Sequence, residues 1–280
     1  MKFGMNMIFW GTHITEELFP LFKEIKNAGY DGVEIPIFEG DADHYQKMGK
    51  AIQTAGLEAT VVTCVGADNN PASSDPEKQK AGLESIKWAV DMSVALGAKL
   101  IVGPFYAAHG FFEIEGSIEE GRIRSAKIIK EAALYAQKFD IHFSIEFLNR
   151  FEIFLLNCTE DTAAYVDLVD EPNVGVLYDT HHANIQEKSI TEAFSKNGHK
   201  INHIHFSESH HGTCGTGQIN WLESKNAVES INFDAWIVVE AFAHDIPGFS
   251  AVAHVWRPMF ETKMQLCQDS LTFIQTLMNK

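Results

Sequence analysis

The sequence predicts an α/β fold, a single-domain (β/α)8 TIM barrel that spans residues 1–280. Short, nearly continuous apolar runs alternate with longer amphipathic segments, which is typical of parallel strands covered by helices. Eight such units fit into a chain of 280 residues. The competing fold is a doubly wound sheet, which would more often show G-x-G-x-x-G after its first strand. Here that turn reads WGTHIT, which favours the barrel.

The eight strands are predicted from β-branched and apolar runs. In chain order they are 2–9, 31–37, 58–65, 99–105, 141–147, 174–180, 201–208 and 235–242. Helices are predicted between them where apolar residues recur at three- and four-residue spacing. The first five lie within 14–29, through 45–56, from about 75 to 96, at 119–139 and from 158 onward. Thr159 is expected to cap the fifth helix, and Glu160 and Asp161 to complement its dipole.

Composition and charge exclude several classes of protein. The net charge is −16, and no run of Lys or Arg is present, which disfavours a nucleic-acid partner. No apolar stretch approaches the roughly 18 residues of a membrane span, so no membrane is expected. Four widely spaced cysteines form no C-x-x-C pair, which predicts free thiols and a cytoplasmic location.

Ionisable residues lie at the ends of the last four predicted strands. These are Glu146, Asp179, His205 and Glu240, each flanked by apolar residues. The carboxyl ends of barrel strands form the active-site rim, so the four are expected to converge there. The alternative is a core histidine bonded to backbone at His205 and an ion pair between Glu146 and Arg150.

A divalent cation would relieve the repulsion among three buried carboxylates. Mostly oxygen donors with one imidazole favour Mn²⁺, Mg²⁺ or Co²⁺ over a structural zinc. His182, three residues after Asp179, is placed to reach over the cation as a substrate donor. His181 is left without a role.

Five segments resemble those of the ketose 3-epimerases, the D-tagatose 3-epimerase and D-psicose (D-allulose) 3-epimerase group of xylose-isomerase-like barrels. They are IEFLNRFE (145–152), YDTHHANIQE (178–187), HIHFSES (203–209) followed by G-x-G-x-x-x-W (215–221), VVEAF (238–242) and VWRPM (255–259). The resemblance covers nearly the full length, and the five segments together are specific to this group.

The resemblance implies an isomerase that inverts C3 of a free ketose through a cis-enediolate. The cofactor it implies is one divalent cation, with Mn²⁺ favoured over Co²⁺ or Mg²⁺, on Glu146, Asp179, His205 and Glu240. Glu146 and Glu240 would be the catalytic acid and base, while Glu152 and His182 would hold substrate oxygens. Cys64 matches a position near the substrate. Family members commonly form dimers or tetramers, so a homo-oligomer is expected, and the apolar segment 259–280 could serve it or simply cover the barrel.

Three predicted substrate contacts depart from the family. His211 stands where the family has arginine, His109 where it has tryptophan, and Asn6 where an aromatic residue is common. An imidazole cannot make the bonds of a guanidinium fork. These changes predict a more polar, roomier pocket, although each could be neutral. Phe242, at a strand end, is expected to stack on the sugar.

Several alternatives remain open from the sequence. An aldose–ketose isomerase would use the same metal site, and a modified or phosphorylated sugar could replace the free ketose. The glycine-rich loop 212–221 could cradle a phosphate, because barrels often bind one there, although it contains no Lys or Arg. The acidic charge disfavours a DNA-repair endonuclease, and a non-catalytic sugar-binding protein would not need two carboxylates shared with a metal.

Overall fold

The computed structural model describes residues 1–113 and 115–279. Ile114 and Lys280 lie outside the described residues. Lys280 is the last residue of the predicted domain and of the apolar segment 259–280. Within those ranges, eight parallel strands close into a barrel in chain order, β1 pairing with β8. The predicted (β/α)8 barrel is therefore confirmed.

The strands are β1 (Lys2–Asn6), β2 (Gly32–Pro36), β3 (Glu58–Val62), β4 (Leu100–Gly103), β5 (His142–Glu146), β6 (Val174–Asp179), β7 (Ile201–Ser207) and β8 (Trp236–Glu240). The helices are α1 (Pro20–Ala28), α2 (Ala42–Ala55), α3 (Pro76–Leu96), α4 (Ile118–Gln137), α5 (Thr159–Val169), α6 (Thr180–Gln186), α7 (Ile190–Asn197), α8 (Trp221–Ser230), α9 (Phe249–Val252) and α10 (Lys263–Leu277). Short 3-10 turns lie at Met7–Phe9, Glu16–Leu18, Ala67–Asn69 and Gly198–Lys200.

Most strands are shorter than predicted at their carboxyl ends, because the apolar runs continue into buried loops. After β1 the chain turns at once into the 3-10 turn Met7–Phe9, where the Asn6 side chain accepts the Ile8 N–H. After β4, Gly103 adopts φ +122, and a Cβ there would lie 2.3 Å from the Thr63 carbonyl oxygen. Only glycine permits this close approach. The backbone turn at Gly103 leads the chain into the loop that forms part of the cavity wall.

The predicted cap at Thr159 is wrong. Thr159 is the first helical residue of α5, and Cys158 precedes it without a side-chain bond. The backbone N–H and Oγ1 of Thr159 both donate to Glu187 Oε1, at 2.7 and 2.6 Å. A carboxylate from the loop after α6 thus takes the place of a local cap.

Other sequence-based expectations fare differently. All four cysteines are free thiols, as predicted: Cys64, Cys158, Cys214 and Cys267. Among the described residues, no helix combines the length and apolar character needed to cross a bilayer. The cytoplasmic location and the dimer or tetramer stay predictions.

Candidate metal centre and active-site cavity

The structure brings the four strand-end side chains together. Glu146, Asp179 and Glu240 are the last residues of β5, β6 and β8. The ladder pairs Glu146 with Leu177, Asp179 with His205 and Ser207 with Glu240, so the four residues lie at or near the carboxyl ends of four consecutive strands. One ligand atom from each lies within 4.8 Å of the others, and all four residues are buried.

The donor set fits one divalent cation. His205 Nδ1 lies 3.4 Å from Glu240 Oε1, 3.7 Å from Glu146 Oε1 and 3.8 Å from Asp179 Oδ2. This nitrogen is buried and has no hydrogen-bond partner among the described residues. A buried polar atom normally has a partner, and a cation among three carboxylates would supply it. Arg150 bonds Gln186 at 2.6 Å and forms no ion pair with Glu146 within the described chain.

The electrostatics of the cluster also call for a counter-charge. Burial raises the pKa of Glu146 to about 8, and the neighbouring Glu240 carboxylate adds to the effect. Burial and Glu240 likewise raise the pKa of Asp179 to about 6. A bound cation would favour the ionised forms of both groups.

Metal binding is therefore expected to strengthen as the pH rises from about 6 to about 8. Raised pKa values mean that Glu146 and Asp179 hold protons at pH 6, and a cation must displace them. Calorimetric titration with Mn²⁺ in two buffers of different ionisation enthalpy checks this, since it counts the protons released. An affinity independent of pH, with no proton release, would contradict these pKa shifts.

A buried carboxylate that the sequence analysis missed lies beneath the cluster. Glu34, on β2, accepts His205 Nε2–H at 2.8 Å and Thr60 Oγ1–H at 2.9 Å. The His205 bond is to Glu34 Oε1 and the Thr60 bond to Oε2, and His203 Nε2 lies 3.0 Å from this same Oε2. Burial alone would raise the pKa of Glu34, but His205 and His203 lower it below the ordinary value. An ionised Glu34 fixes the proton of His205 on Nε2 and leaves Nδ1 for a cation.

Asn6 belongs to this buried network. Its Nδ2 donates to Glu34 Oε1 at 3.1 Å and to Glu240 Oε1 at 3.0 Å, and the residue is fully buried. The structure therefore places Asn6 among the groups that bond the cluster, and Asn6 is not one of the described residues that line the cavity; its contact with substrate stays a prediction. Asn6 orients the Glu240 carboxylate.

Glu34→Gln is expected to weaken Mn²⁺ binding by about 10–100-fold, the usual effect of removing a partner that orients a metal ligand. The neutral amide can still accept a hydrogen bond, but it no longer holds His205 by charge. Calorimetric titration measures the effect. Glu58→Gln, whose exposed carboxylate on β3 pairs with Lys2 on β1, is the matched control. An unchanged affinity in Glu34→Gln would exclude this role.

A cavity of about 100 Å³ lies above the cluster, with Glu146 and Glu240 in its floor. Five of the predicted substrate-binding residues lie in its wall: Cys64, His109, Glu152, His182 and Phe242. Another of the seven, His211, packs against the Phe242 ring with centroids 4.2 Å apart but lines an adjacent cavity.

His182 and Glu152 form a polar pair in the wall, ordered by Asn149. The Asn149 backbone N–H donates to His182 Nδ1 at 3.1 Å, so the ring proton lies on Nε2, 3.9 Å from Glu146 Oε1. Burial lowers the pKa of His182 to about 3, so the ring is neutral. Glu152 accepts Asn149 Nδ2–H at 2.6 Å and faces His109 Nε2 at 3.4 Å. Burial opposes ionisation of Glu152, but His109 and His182 lower its pKa to about 2. The cavity wall thus presents one hydrogen-bond donor, His182 Nε2–H, and one acceptor, the Glu152 carboxylate.

Cys64 lines the cavity without being a nucleophile. Surrounding protein and the Glu146 carboxylate raise its pKa to about 11. The side chain therefore stays a thiol at neutral pH, because reactivity belongs to the thiolate. Its contribution is shape.

Most backbone donors of loop 212–221 are bonded within the chain. Glu208, buried after β7, accepts the N–H groups of Gly215 at 2.9 Å and Ile219 at 3.3 Å. Its Oε2 also accepts Trp221 Nε1–H at 3.1 Å. An internal carboxylate thus occupies the position that a phosphate would take in a glycine-rich cradle.

Comparison with known proteins identifies the family to which this barrel belongs. The family model of the xylose isomerase-like TIM barrel matches residues 22–266. The chain belongs to this family. In this xylose isomerase-like barrel, as in TIM barrels generally, the site lies at the carboxyl ends of the strands.

Relatives of this family member are epimerases. The ketose 3-epimerase of Arthrobacter globiformis is 28% identical over 287 residues, which cover 99% of each chain. The L-ribulose 3-epimerase of Methylomonas sp. (strain DH-1) is 29% identical over 250 residues, covering 89% of this chain and 87% of the relative. A crystal structure of D-allulose 3-epimerase from Methylomonas sp. in complex with D-allulose has a TM-score of 0.90, 26% identity and coverage of 99% and 96%. The predicted resemblance and the isomerase class are confirmed.

Proposed function

We propose that the chain is a divalent-cation-dependent epimerase that inverts C3 of a free ketose through a cis-enediolate. The observation that carries this proposal is the meeting of two buried carboxylates, Glu146 and Glu240, in one four-donor cluster at the floor of a cavity. The names of the relatives, which are ketose 3-epimerases, support the same reaction.

The reaction requires removal of a proton next to a ketone, which is too weakly acidic for a free carboxylate at neutral pH. A bound divalent cation would stabilise the negative charge that develops on the substrate oxygens. Glu146 and Glu240 then act from opposite faces of the planar enediolate, one removing the proton and the other returning it. When the proton returns to the face opposite the one from which it was removed, the configuration at C3 is inverted.

The cavity wall orients the sugar. His182 donates from Nε2 to a substrate oxygen, and Glu152 accepts from a hydroxyl. Phe242 offers a ring face to the apolar side of the sugar, as aromatic residues commonly do. Holding the ketose in one orientation supplies much of the acceleration that proton transfer alone cannot.

The cation is one that prefers oxygen ligands. Three carboxylates and one imidazole suit Mn²⁺ first, then Co²⁺ or Mg²⁺. An unphosphorylated substrate is supported by Glu208, which already binds the backbone donors of loop 212–221.

The test is an assay of metal-stripped protein titrated with Mn²⁺ against D-fructose, D-tagatose, L-ribulose and their phosphates, with chromatographic analysis of products. We expect C3 epimers of free ketoses to appear in proportion to bound metal. Aldose products would favour an aldose–ketose isomerase, and exclusive use of the phosphates would contradict the free-ketose proposal.

A further inference from the structure

A second and larger cavity adjoins the metal cavity. Its volume is about 500 Å³, against about 100 Å³ for the first, and Glu152 and Ala253 lie in the walls of both. The loops after β5, β7 and β8 and the helix α6 form it. Because the two cavities share these wall residues, a ligand that extends from the metal centre past Glu152 would enter a space of the size that small ligands occupy.

We propose that this second cavity, the side cavity, binds a glycosyl residue linked to the ketose, so that the substrate class is glycosylated ketoses. This inference rests on the proposed epimerase function and refines its substrate: free ketoses are turned over, and unphosphorylated ketoses that carry a glycosyl residue are preferred.

His211 is a polar residue of the side cavity that lacks a partner. The residue is 6% exposed, and its Nδ1 is buried without a hydrogen-bond partner among the described residues. Its backbone, at φ +53, is fixed by bonds from its N–H to the Glu208 carbonyl and from the Phe242 N–H to its own carbonyl. A buried ring nitrogen without a partner is costly, and a ligand in the cavity that His211 lines would supply one.

Burial and the nearby imidazoles of His181 and His182 hold the pKa of His211 well below its ordinary value, so its ring is neutral. Its centroid lies 3.9 Å from that of His181 and 4.2 Å from that of Phe242, and it forms no ion pair within the described chain. A neutral imidazole offers one donor and one acceptor. That combination matches a hydroxyl group, which also both donates and accepts.

Two aromatic residues line the side cavity with their rings in solvent. Trp256 is 71% exposed and Phe151 is 64% exposed. Exposed aromatic surface around a polar cavity is typical of a binding site, and aromatic rings stack on the apolar faces of sugars. Polar groups that both donate and accept, together with open aromatic faces, favour a neutral carbohydrate.

The charges of the side cavity disfavour a phosphate. Among the described residues of its wall, Arg257 alone carries a permanent positive charge, and it is exposed and without an ion pair. Glu152, which is ionised, stands at the passage between the cavities and would repel an anion. A single arginine fork can instead donate to the hydroxyl groups of a sugar.

Two of the three residues that depart from the family lie along this same path. His211 stands where the resemblance expects arginine and lines the side cavity. His109 stands where it expects tryptophan and contacts Glu152 at the passage. Both replacements substitute a smaller ring or a shorter side chain, which leaves room beyond the ketose.

The experiment compares D-fructose with its glucosides linked at O4, O5 and O6, namely maltulose, leucrose and isomaltulose, on the Mn²⁺-loaded protein. We expect kcat/KM for at least one glucoside to exceed that for D-fructose by about tenfold or more, chiefly through KM. Trp256→Ala is expected to reduce this glucoside-to-fructose ratio about tenfold. Leu222→Ala, an apolar residue on α8 that is 66% exposed, is the matched control and should leave the ratio unchanged.

The outcomes separate this inference from the proposed function. Epimerisation of D-fructose without preference for any glucoside would overturn the side-cavity proposal and leave the epimerase proposal standing. Preference for D-fructose 6-phosphate would also overturn it, in favour of an anion. If no ketose reacts, the epimerase proposal fails. Calorimetric binding of the same sugars then tests the side cavity by itself. Equal affinities for the glucosides and for D-fructose would overturn the proposal that it is a glycosyl site.

Discussion

Replacing either Glu146 or Glu240 with glutamine is expected to lower kcat for ketose epimerisation by about 10²–10⁴-fold or more. Each carboxylate has one role in proton transfer, and an amide can neither remove nor return the proton. Each is also a candidate metal ligand, so lost metal binding would add to the effect. Steady-state kinetics at saturating Mn²⁺, with the metal content of each variant measured, separates the two contributions.

Each variant is also expected to exchange the C3 proton of one epimer with solvent while no longer interconverting the two, because one base remains. Glu39→Gln, an exposed carboxylate in the loop after β2, is the control and should behave as the unaltered protein. Full activity in Glu146→Gln or Glu240→Gln with metal retained would remove the two-base scheme.

Removing the metal is expected to abolish turnover and to lower the free energy of unfolding. At a Mn²⁺ concentration of about 100 times its Kd, binding to the folded state alone adds about 2.7 kcal/mol. Without a cation, the carboxylates with raised pKa hold protons that the unfolded chain releases. Stability is therefore expected to fall as the pH rises from the ordinary carboxyl pKa through about 8, the pKa of Glu146.

Thermal unfolding of chelated and Mn²⁺-loaded protein at pH 6 and pH 8 tests this expectation. The stabilisation by Mn²⁺ should be larger at pH 8, where the unrelieved repulsion is greater. Asp179→Asn, which removes one ligand at the centre of the cluster, should reduce the shift strongly. A melting temperature that is indifferent to Mn²⁺ at both pH values would exclude a metal centre in the folded protein.

The sequence was sufficient to predict where the cluster forms. In a parallel barrel the carboxyl ends of all strands meet at one rim, so the position of Glu146, Asp179 and Glu240 in the chain is enough to place them together. His205 lies two residues before the end of β7, yet the ladder pairs it with Asp179. These placements depend on strand order and register alone.

The residues beneath and beside the cluster could not be placed in the same way. Glu34 lies within the strand GVEIP, and only the register shows that its side chain points inward under His205. A charged residue inside an otherwise apolar strand was the available signal. Asn6 ends β1 at the rim, but its amide turns down toward Glu34 and Glu240. His211 depends on loop geometry, which strand patterns do not predict.

Epimerisation in D2O tests the central claim most directly: that two carboxylates on one metal centre move the proton of C3. Metal-loaded protein incubated with D-fructose, or with the ketose it uses best, is followed by NMR. The account predicts one deuterium at C3 of both epimers, dependent on Mn²⁺, with no aldose formed. Deuterium at C1 with appearance of an aldose, or C3 inversion without incorporation of deuterium in either epimer, would contradict it.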